Sequence, residues 1–144
     1  MIAVLLILFT LFAKLLPDPT YIEELQDLLD DKVDIYELER LKNDDDMTRW
    51  HKMKKIRFML MKQPKEVGAQ YSTRMGIRKL MHDEHIAGRI SRSSDPDIQE
   101  FWRQIQHLDT DWSISEGEAA EREFEMLAKL TPEQRRSLGK IWRC

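Results

Sequence analysis

MIAVLLILFTLFAKLL, residues 1–16, is the most apolar stretch of the chain, and it decides the architecture that the sequence predicts. Its first charged residue is Lys14, and every earlier residue except Thr10 is apolar. A helix of this length rises about 24 Å against a hydrocarbon core of about 30 Å, and Lys14 can extend its ammonium group to the interface. The stretch therefore predicts a single-pass membrane anchor. Its membrane-anchoring residues are Ile2, Leu5, Leu6, Leu8, Phe9, Phe12 and Lys14.

Three other interpretations of this stretch fit less well. A secretory signal peptide has a positive residue before its apolar run, and none occurs here; a cut after Ala13 would also leave Leu11 where a small residue is required. A mitochondrial transit peptide is amphipathic and rich in Arg and Ser, which this stretch is not. A buried helix that is apolar on all sides needs a large protein around it. A signal peptide and a core helix remain as alternatives to the anchor.

The charged residues follow an acidic–basic–acidic order, although the net charge of the 144 residues is only −3. Asp and Glu outnumber Lys and Arg by twelve to three over residues 17–48, and the ratio inverts to three against twelve over residues 49–92. After Ser93 the chain is acidic again. We therefore divide the chain into the anchor (1–16), an acidic then basic helical segment (17–92) and a C-terminal helical segment (93–144). Such segments are expected to meet oppositely charged neighbours in this chain or in another subunit.

Composition favours an all-α fold. Five glycines and five prolines are few, and no stretch alternates β-branched with polar residues. The single cysteine, Cys144, excludes an internal disulfide framework and a cysteine-based zinc cluster. We predict a short transmembrane helix followed by several short amphipathic helices in an extended or loosely bundled arrangement.

Capping residues give the expected helix boundaries. Asp18 is predicted to cap a helix with Pro19 at its first position, and Asp34 is predicted to cap the next one. Residues 67–72 are predicted to form a loop through Gly68, with a helix after it that ends near Gly88. The remaining helices are predicted to begin at Asp95-Pro96, at the capping box Ser115-x-x-Glu118 and at Thr131-Pro132-Glu133-Gln134.

Residues 47–62, MTRWHKMKKIRFMLMK, form the second distinctive stretch, a basic amphipathic helix that resembles membrane-surface and calmodulin-binding helices. Three interpretations apply: a solvated face that pairs with acidic segments of the same complex, a contact with anionic lipid, and a less favoured contact with nucleic acid. The candidate contact residues are Arg49, Lys52, Lys54, Lys55, Arg57 and Lys62.

The sequence carries no pattern typical of an active site. His82 and His85 are three residues apart, whereas the zinc-protease motif needs histidines four apart with a Glu between them, so exposed histidines are the better interpretation. No nucleophile elbow, phosphate-binding loop or dinucleotide fingerprint occurs. We therefore expect no enzyme activity, no cofactor or metal, and no small-molecule substrate.

This layout resembles that of accessory subunits of energy-converting membrane complexes such as the mitochondrial respiratory chain or ATP synthase. The resemblance implies a scaffold in the mitochondrial inner membrane that binds other subunits of its complex. Its aromatic contact residues would be Trp50, Phe101, Trp102, Trp112 and Trp142. The alternatives are an independent membrane-tethered protein that uses the basic helix for anionic lipid or an acidic partner, and a small secreted or lumenal helical domain.

Overall fold

The computed structural model describes residues 19–141, with side chains as far as Leu138. These residues form seven helices and no β-strand, apart from an isolated antiparallel bridge between Thr48 and Ser115. The predicted all-α fold is thereby confirmed for the described part of the chain. The helices are α1 (Ile22–Gln26), α2 (Lys32–Lys42), α3 (Arg49–Leu60), α4 (Lys65–Arg92), α5 (Pro96–Asp109), α6 (Glu116–Ala128) and α7 (Pro132–Ile141).

The membrane anchor predicted at residues 1–16 lies outside the described residues, as does Trp142. Among the helices of residues 19–141, none combines the length and the apolar character that a membrane crossing requires. The anchor, with its contact residues from Ile2 to Lys14, therefore stays a prediction.

Two buried apolar clusters hold the helices together. The first joins α1, α2 and α3 through residues such as Leu25, Leu38 and Ile56. The second is built around Trp102 of α5 and Leu138 of α7. Helix α4 contributes Tyr71 to the first cluster and Ile86 to the second, so it connects them. A smaller cluster of Leu108, Ile114 and Ala119 packs α6 against the end of α5.

Helix α4 is one continuous helix of 28 residues, so the predicted loop over residues 67–72 is wrong. Glycine in a helix interior costs about 1 kcal/mol relative to alanine, and Gly68 and Gly76 each weaken the local preference for helix. Tertiary packing outweighs this cost, because Tyr71, Ile86 and Arg89 are buried at intervals along one side of α4. The Tyr71 hydroxyl also donates a 2.6 Å hydrogen bond to the Thr20 carbonyl.

Gly68→Ala is expected to stabilise the protein by roughly 0.5–1 kcal/mol, because a Cβ at Gly68 would meet no atom within 4 Å while alanine favours the helix. Urea unfolding of the full chain, followed by circular dichroism, measures this change. A destabilised variant would show that this turn of α4 needs glycine for a reason other than space.

Three of the predicted helix starts are confirmed by their hydrogen bonds. Asp95 accepts bonds from the amides of Asp97 and Ile98, with Pro96 in the first turn. Ser115 and Glu118 form the complete capping box. The Thr131 hydroxyl and the Gln134 side chain exchange bonds with each other's backbone amides.

Two predicted starts are displaced. Asp31, not Asp34, caps α2, because its carboxylate accepts a 2.7 Å bond from the Val33 amide and so begins the helix three residues earlier. Helix α1 begins at Ile22 and not at Pro19, since Pro19 and Thr20 form a turn that the Tyr71 hydroxyl bond holds. The apolar residues of this region, Ile22, Leu25 and Leu29, are nevertheless buried.

Candidate functional site

Helix α3 is held rigidly at its start and along its inner side. The Thr48 hydroxyl caps it by accepting a bond from the His51 amide. The amides of Arg49 and Trp50 donate to the carbonyls of Ile114 and Trp112, at 2.9 and 3.0 Å. Along the helix, the side chains of Met53, Ile56 and Met59 are buried in the first cluster. The side that faces away from this cluster is therefore presented as a fixed surface.

Two of the six predicted basic contact residues belong to the interior. Arg49 is only 3% exposed, and its guanidinium binds both carboxylate oxygens of Glu116, at 2.6 and 3.3 Å. It also donates to the carbonyls of Leu108 and Asp111. Lys52 is fully buried, and its ammonium donates to the Lys42 carbonyl at 3.3 Å. The prediction that Arg49 and Lys52 contact a lipid or a partner is therefore wrong, because both charges are used to join elements of the fold.

The other four basic residues are exposed, three on the outer side of α3 and the last in the turn that follows it. They are Lys54, Lys55, Arg57 and Lys62. None of the four makes an ion pair with a residue that the structure describes. The Arg57 guanidinium lies 5.7 Å from the centre of the Trp50 ring, in a cation–π contact.

Large apolar side chains share this outer side. Trp50 is 56% exposed, Phe58 58% and Met61 80%. Residues 50, 54, 57, 58 and 61 follow the 3.6-residue period and so form a single stripe along the helix. We call the exposed surface formed by Trp50, Lys54, Lys55, Arg57, Phe58, Met61 and Lys62 the basic–aromatic face.

Phe58 and Met61 were not predicted as contact residues from the sequence, whereas Trp50 was predicted as an aromatic contact residue and lies on this face. The helical spacing of apolar residues in the sequence is enough to separate the two sides of α3. A stripe through Met53, Ile56 and Met59 leaves Trp50, Phe58 and Met61 on the opposite side, but the mixture of Met, Phe and Lys on both sides hides the difference.

Three of the other predicted aromatic contact residues, Phe101, Trp102 and Trp112, do not belong to this face. Phe101 and Trp102 lie in the second cluster, in edge-to-face contact with 5.2 Å between ring centres. They stabilise the core, so their prediction as intersubunit contacts is wrong. Trp112 is half-buried against the first cluster.

A second cluster of polar residues lies between α4, α5 and α6. His82 Nε2 and Asp109 Oδ2 are 2.6 Å apart, and both side chains are largely buried. Glu123 of α6 is only 6% exposed, and burial, with a smaller contribution from the negative charge of Asp109, raises its pKa to about 7. Such a pKa is common at catalytic carboxyls, but here its cause is the burial of Glu123 in the packing between helices.

The histidine pair of the sequence does not form a metal site in the described part of the chain, where no group of three potential ligands converges. His82 pairs with Asp109, whereas His85 Nε2 accepts a 3.2 Å bond from Arg89. Burial and the nearby Arg89 charge lower the pKa of His85. The two histidines therefore serve different internal contacts.

Comparisons of this chain with protein-family models, with curated proteins and with solved structures find no match.

Proposed function

We propose that this protein is a non-catalytic, membrane-associated helical protein whose basic–aromatic face docks on anionic lipid headgroups. The observation that carries the proposal is the coincidence of four exposed basic residues and three exposed apolar side chains on one side of α3. The apolar run at residues 1–16 would tether the chain to the same membrane.

An anionic bilayer surface can bind both the basic and the apolar side chains of this face. Each Lys or Arg near such a surface contributes about 1 kcal/mol of attraction. Trp rings favour the interface, and side chains such as Phe58 and Met61 can enter the boundary between headgroups and acyl chains. Because the opposite side of α3 is fixed in the core, the helix would dock as part of a folded domain and would not insert alone.

Nucleic acid and an acidic protein are the competing occupants of this face. A single strand of nucleic acid gains affinity by stacking bases on aromatic rings, but the most exposed apolar residue here, Met61, offers no ring. An acidic protein with apolar side chains could use both the charges and the apolar groups, so it is an outcome of the test below. The anchor predicted at residues 1–16 favours lipid, because it would hold this face near a membrane.

Reversing Lys54, Lys55, Arg57 and Lys62 to Glu is expected to abolish docking of the face, because roughly 4 kcal/mol of attraction is lost and replaced by repulsion. The test uses the full chain with Cys144→Ser and Met61→Cys, labelled with an environment-sensitive fluorophore and reconstituted in vesicles. Anionic vesicles should shift the emission to the blue and expose the label to lipid-bound quenchers, and neutral vesicles should not. Raised salt should weaken the effect.

The matched control reverses four exposed basic residues away from α3: Lys79, Lys129, Arg135 and Arg136. It changes the net charge equally and should leave the response to anionic vesicles intact. An equal loss in both variants would show that net charge, and not this face, governs the contact. If anionic vesicles do not shift the emission of the native chain, the lipid proposal is refuted. If an acidic polypeptide then produces the shift, the face binds a protein.

A second candidate, an accessory subunit of an energy-converting membrane complex, is favoured by a different observation. Val33 and Tyr36 of α2 are exposed although both are large and apolar, and they lie away from α3. Exposed apolar residues of this kind are typical of protein contacts. Extraction in mild detergent followed by mass spectrometry of the co-purifying proteins tests this candidate; purification as a lone chain from its native membrane would exclude it.

A further inference from the structure

Helix α4 presents an apolar surface on the side opposite to its buried residues. Ile77, Leu80 and Met81 are 54%, 60% and 61% exposed. Their spacing places them together on one side of the helix, whereas Tyr71 and Ile86 are buried on the other. We call the exposed group of Ile77, Leu80 and Met81 the α4 patch. A contiguous apolar group at the middle of a helix about 42 Å long is suited to contact another helix.

Gly76, directly before Ile77, packs against none of the residues that the structure describes. A Cβ at this position would meet no atom within 4 Å, and its φ is not positive, so neither space nor backbone conformation requires glycine. Glycine nevertheless weakens the helix. A partner helix that approaches closely beside Ile77 would give this residue a function, since small residues let two helix backbones come near each other.

The charges on either side of the α4 patch are opposite in sign. Arg74 lies one turn before it and is exposed, with a distant 3.8 Å contact to Glu24, whose closer partner is Arg78 at 2.6 Å. Glu84 lies one turn after the patch and is also exposed. The surface along α4 therefore runs from positive through apolar to negative.

Such a surface is complementary to itself when two helices run in opposite directions. A two-fold axis that places Ile77 opposite Met81 of a second copy also brings Arg74 opposite Glu84, and the same pair recurs at the other end. We propose that the α4 patch is the contact between two copies of this chain, with their α4 helices antiparallel. This inference is independent of the lipid proposal, which concerns α3.

The same charges disfavour the other occupants of the α4 patch. Parallel α4 helices would bring Arg74 against Arg74 and Glu84 against Glu84, and like charges that face each other are unfavourable. On an anionic lipid surface the repulsion of Glu84 would oppose the attraction of Arg74, since Arg78 and Lys79 already pair with Glu24 and Asp83. The patch is small compared with the surfaces that stable dimers bury, so we expect a reversible dimer whose population rises with concentration.

The test is sedimentation velocity of the full chain in mild detergent over a range of concentrations. The native chain is expected to show a monomer–dimer equilibrium, and Leu80→Glu should weaken it by more than about 10-fold, because it buries a charge at the centre of the contact. Val33→Glu is the matched control: it places the same charge at a large exposed residue of α2 and should leave the equilibrium unchanged. Circular dichroism of both variants verifies that the helices are retained.

Exchanging the two charges tests whether the α4 helices of the two copies run antiparallel. Arg74→Glu should weaken the dimer, and adding Glu84→Arg to it should restore the dimer, because the pair is re-formed with reversed signs. A carboxylate at position 74 would also repel Glu24 within the same chain, and the double variant keeps this repulsion. Recovery of dimer affinity in the double variant can therefore only arise at the contact between copies. A native chain that stays monomeric, a dimer that survives Leu80→Glu, or a double variant that remains as weak as Arg74→Glu would each overturn the proposal.

Discussion

Arg49→Ala is expected to lower the free energy of unfolding by roughly 3–5 kcal/mol, because it leaves the partly buried Glu116 carboxylate without its guanidinium partner. Two carbonyls, at Leu108 and Asp111, lose their donor in the same substitution. These contacts join the start of α3 to the connection between α5 and α6. A domain of this size commonly has only about 5–15 kcal/mol of stability in total, so the variant is expected to be close to unfolding at 37 °C.

Denaturant unfolding of the full chain measures this loss, and Arg57→Ala provides the comparison within the same helix. Arg57 is exposed and contacts only the Trp50 ring among the interactions described, so its removal should change stability by less than about 1 kcal/mol. Arg49→Lys should fall between the two, since an ammonium keeps the charge but cannot bind both carboxylate oxygens. Equal stability of the Arg49 and Arg57 alanine variants would contradict the assigned role of Arg49.

The features that could be predicted from the sequence are those that depend on neighbouring residues. The caps at Asp95, Ser115 and Thr131 bond to amides two or three residues away, so the sequence contains both partners of each bond. The all-α class was predictable for the same reason, because the apolar spacing of α5 is a local property. The start of α2 was predicted three residues too late, because Asp34 and the true cap, Asp31, lie within one turn of each other.

The features that were not predicted depend on distant contacts. The continuity of α4 across Gly68 is supported by Tyr71, whose hydroxyl partner lies at Thr20. Arg49 was placed on a surface face because its partner, Glu116, is 67 residues away. Five of the seven residues of the basic–aromatic face were predicted as contact residues: Trp50, Lys54, Lys55, Arg57 and Lys62. Phe58 and Met61 were missed, and Arg49 and Lys52 do not lie on the face.

Glu123→Gln is expected to stabilise the protein above neutral pH by roughly 3 kcal/mol, the second large effect that the structure predicts. Glu123 is 6% exposed on α6, and its carboxyl feels the negative charge of Asp109 at the end of α5. Burial and the Asp109 charge raise its pKa from 4.5 to about 7. The amide has nearly the same shape but never carries a charge, so it avoids the desolvation of a carboxylate.

The direction of the pH dependence follows from this pKa. A carboxyl whose pKa is higher in the folded than in the unfolded state binds more protons when folded, so its contribution to stability falls as pH rises. The difference between Glu123→Gln and the native chain should be near its minimum at pH 4.5, grow through pH 7 and level off above it. Comparing the two chains at each pH removes the opposing effect of His85, whose lowered pKa makes the fold less stable as pH falls.

Glu125→Gln is the control, because Glu125 is exposed on the same helix and its substitution makes the same chemical change at the surface. Asp109→Asn separates the two causes of the raised pKa. Burial is the larger cause and persists in that variant, so the pKa of Glu123 should move only part of the way back toward 4.5. NMR titration of the Glu123 side chain measures both values directly. A native Glu123 that titrates near 4.5, or a stability difference that does not vary between pH 5 and pH 8, would show that water reaches this carboxyl and that α6 does not enclose it.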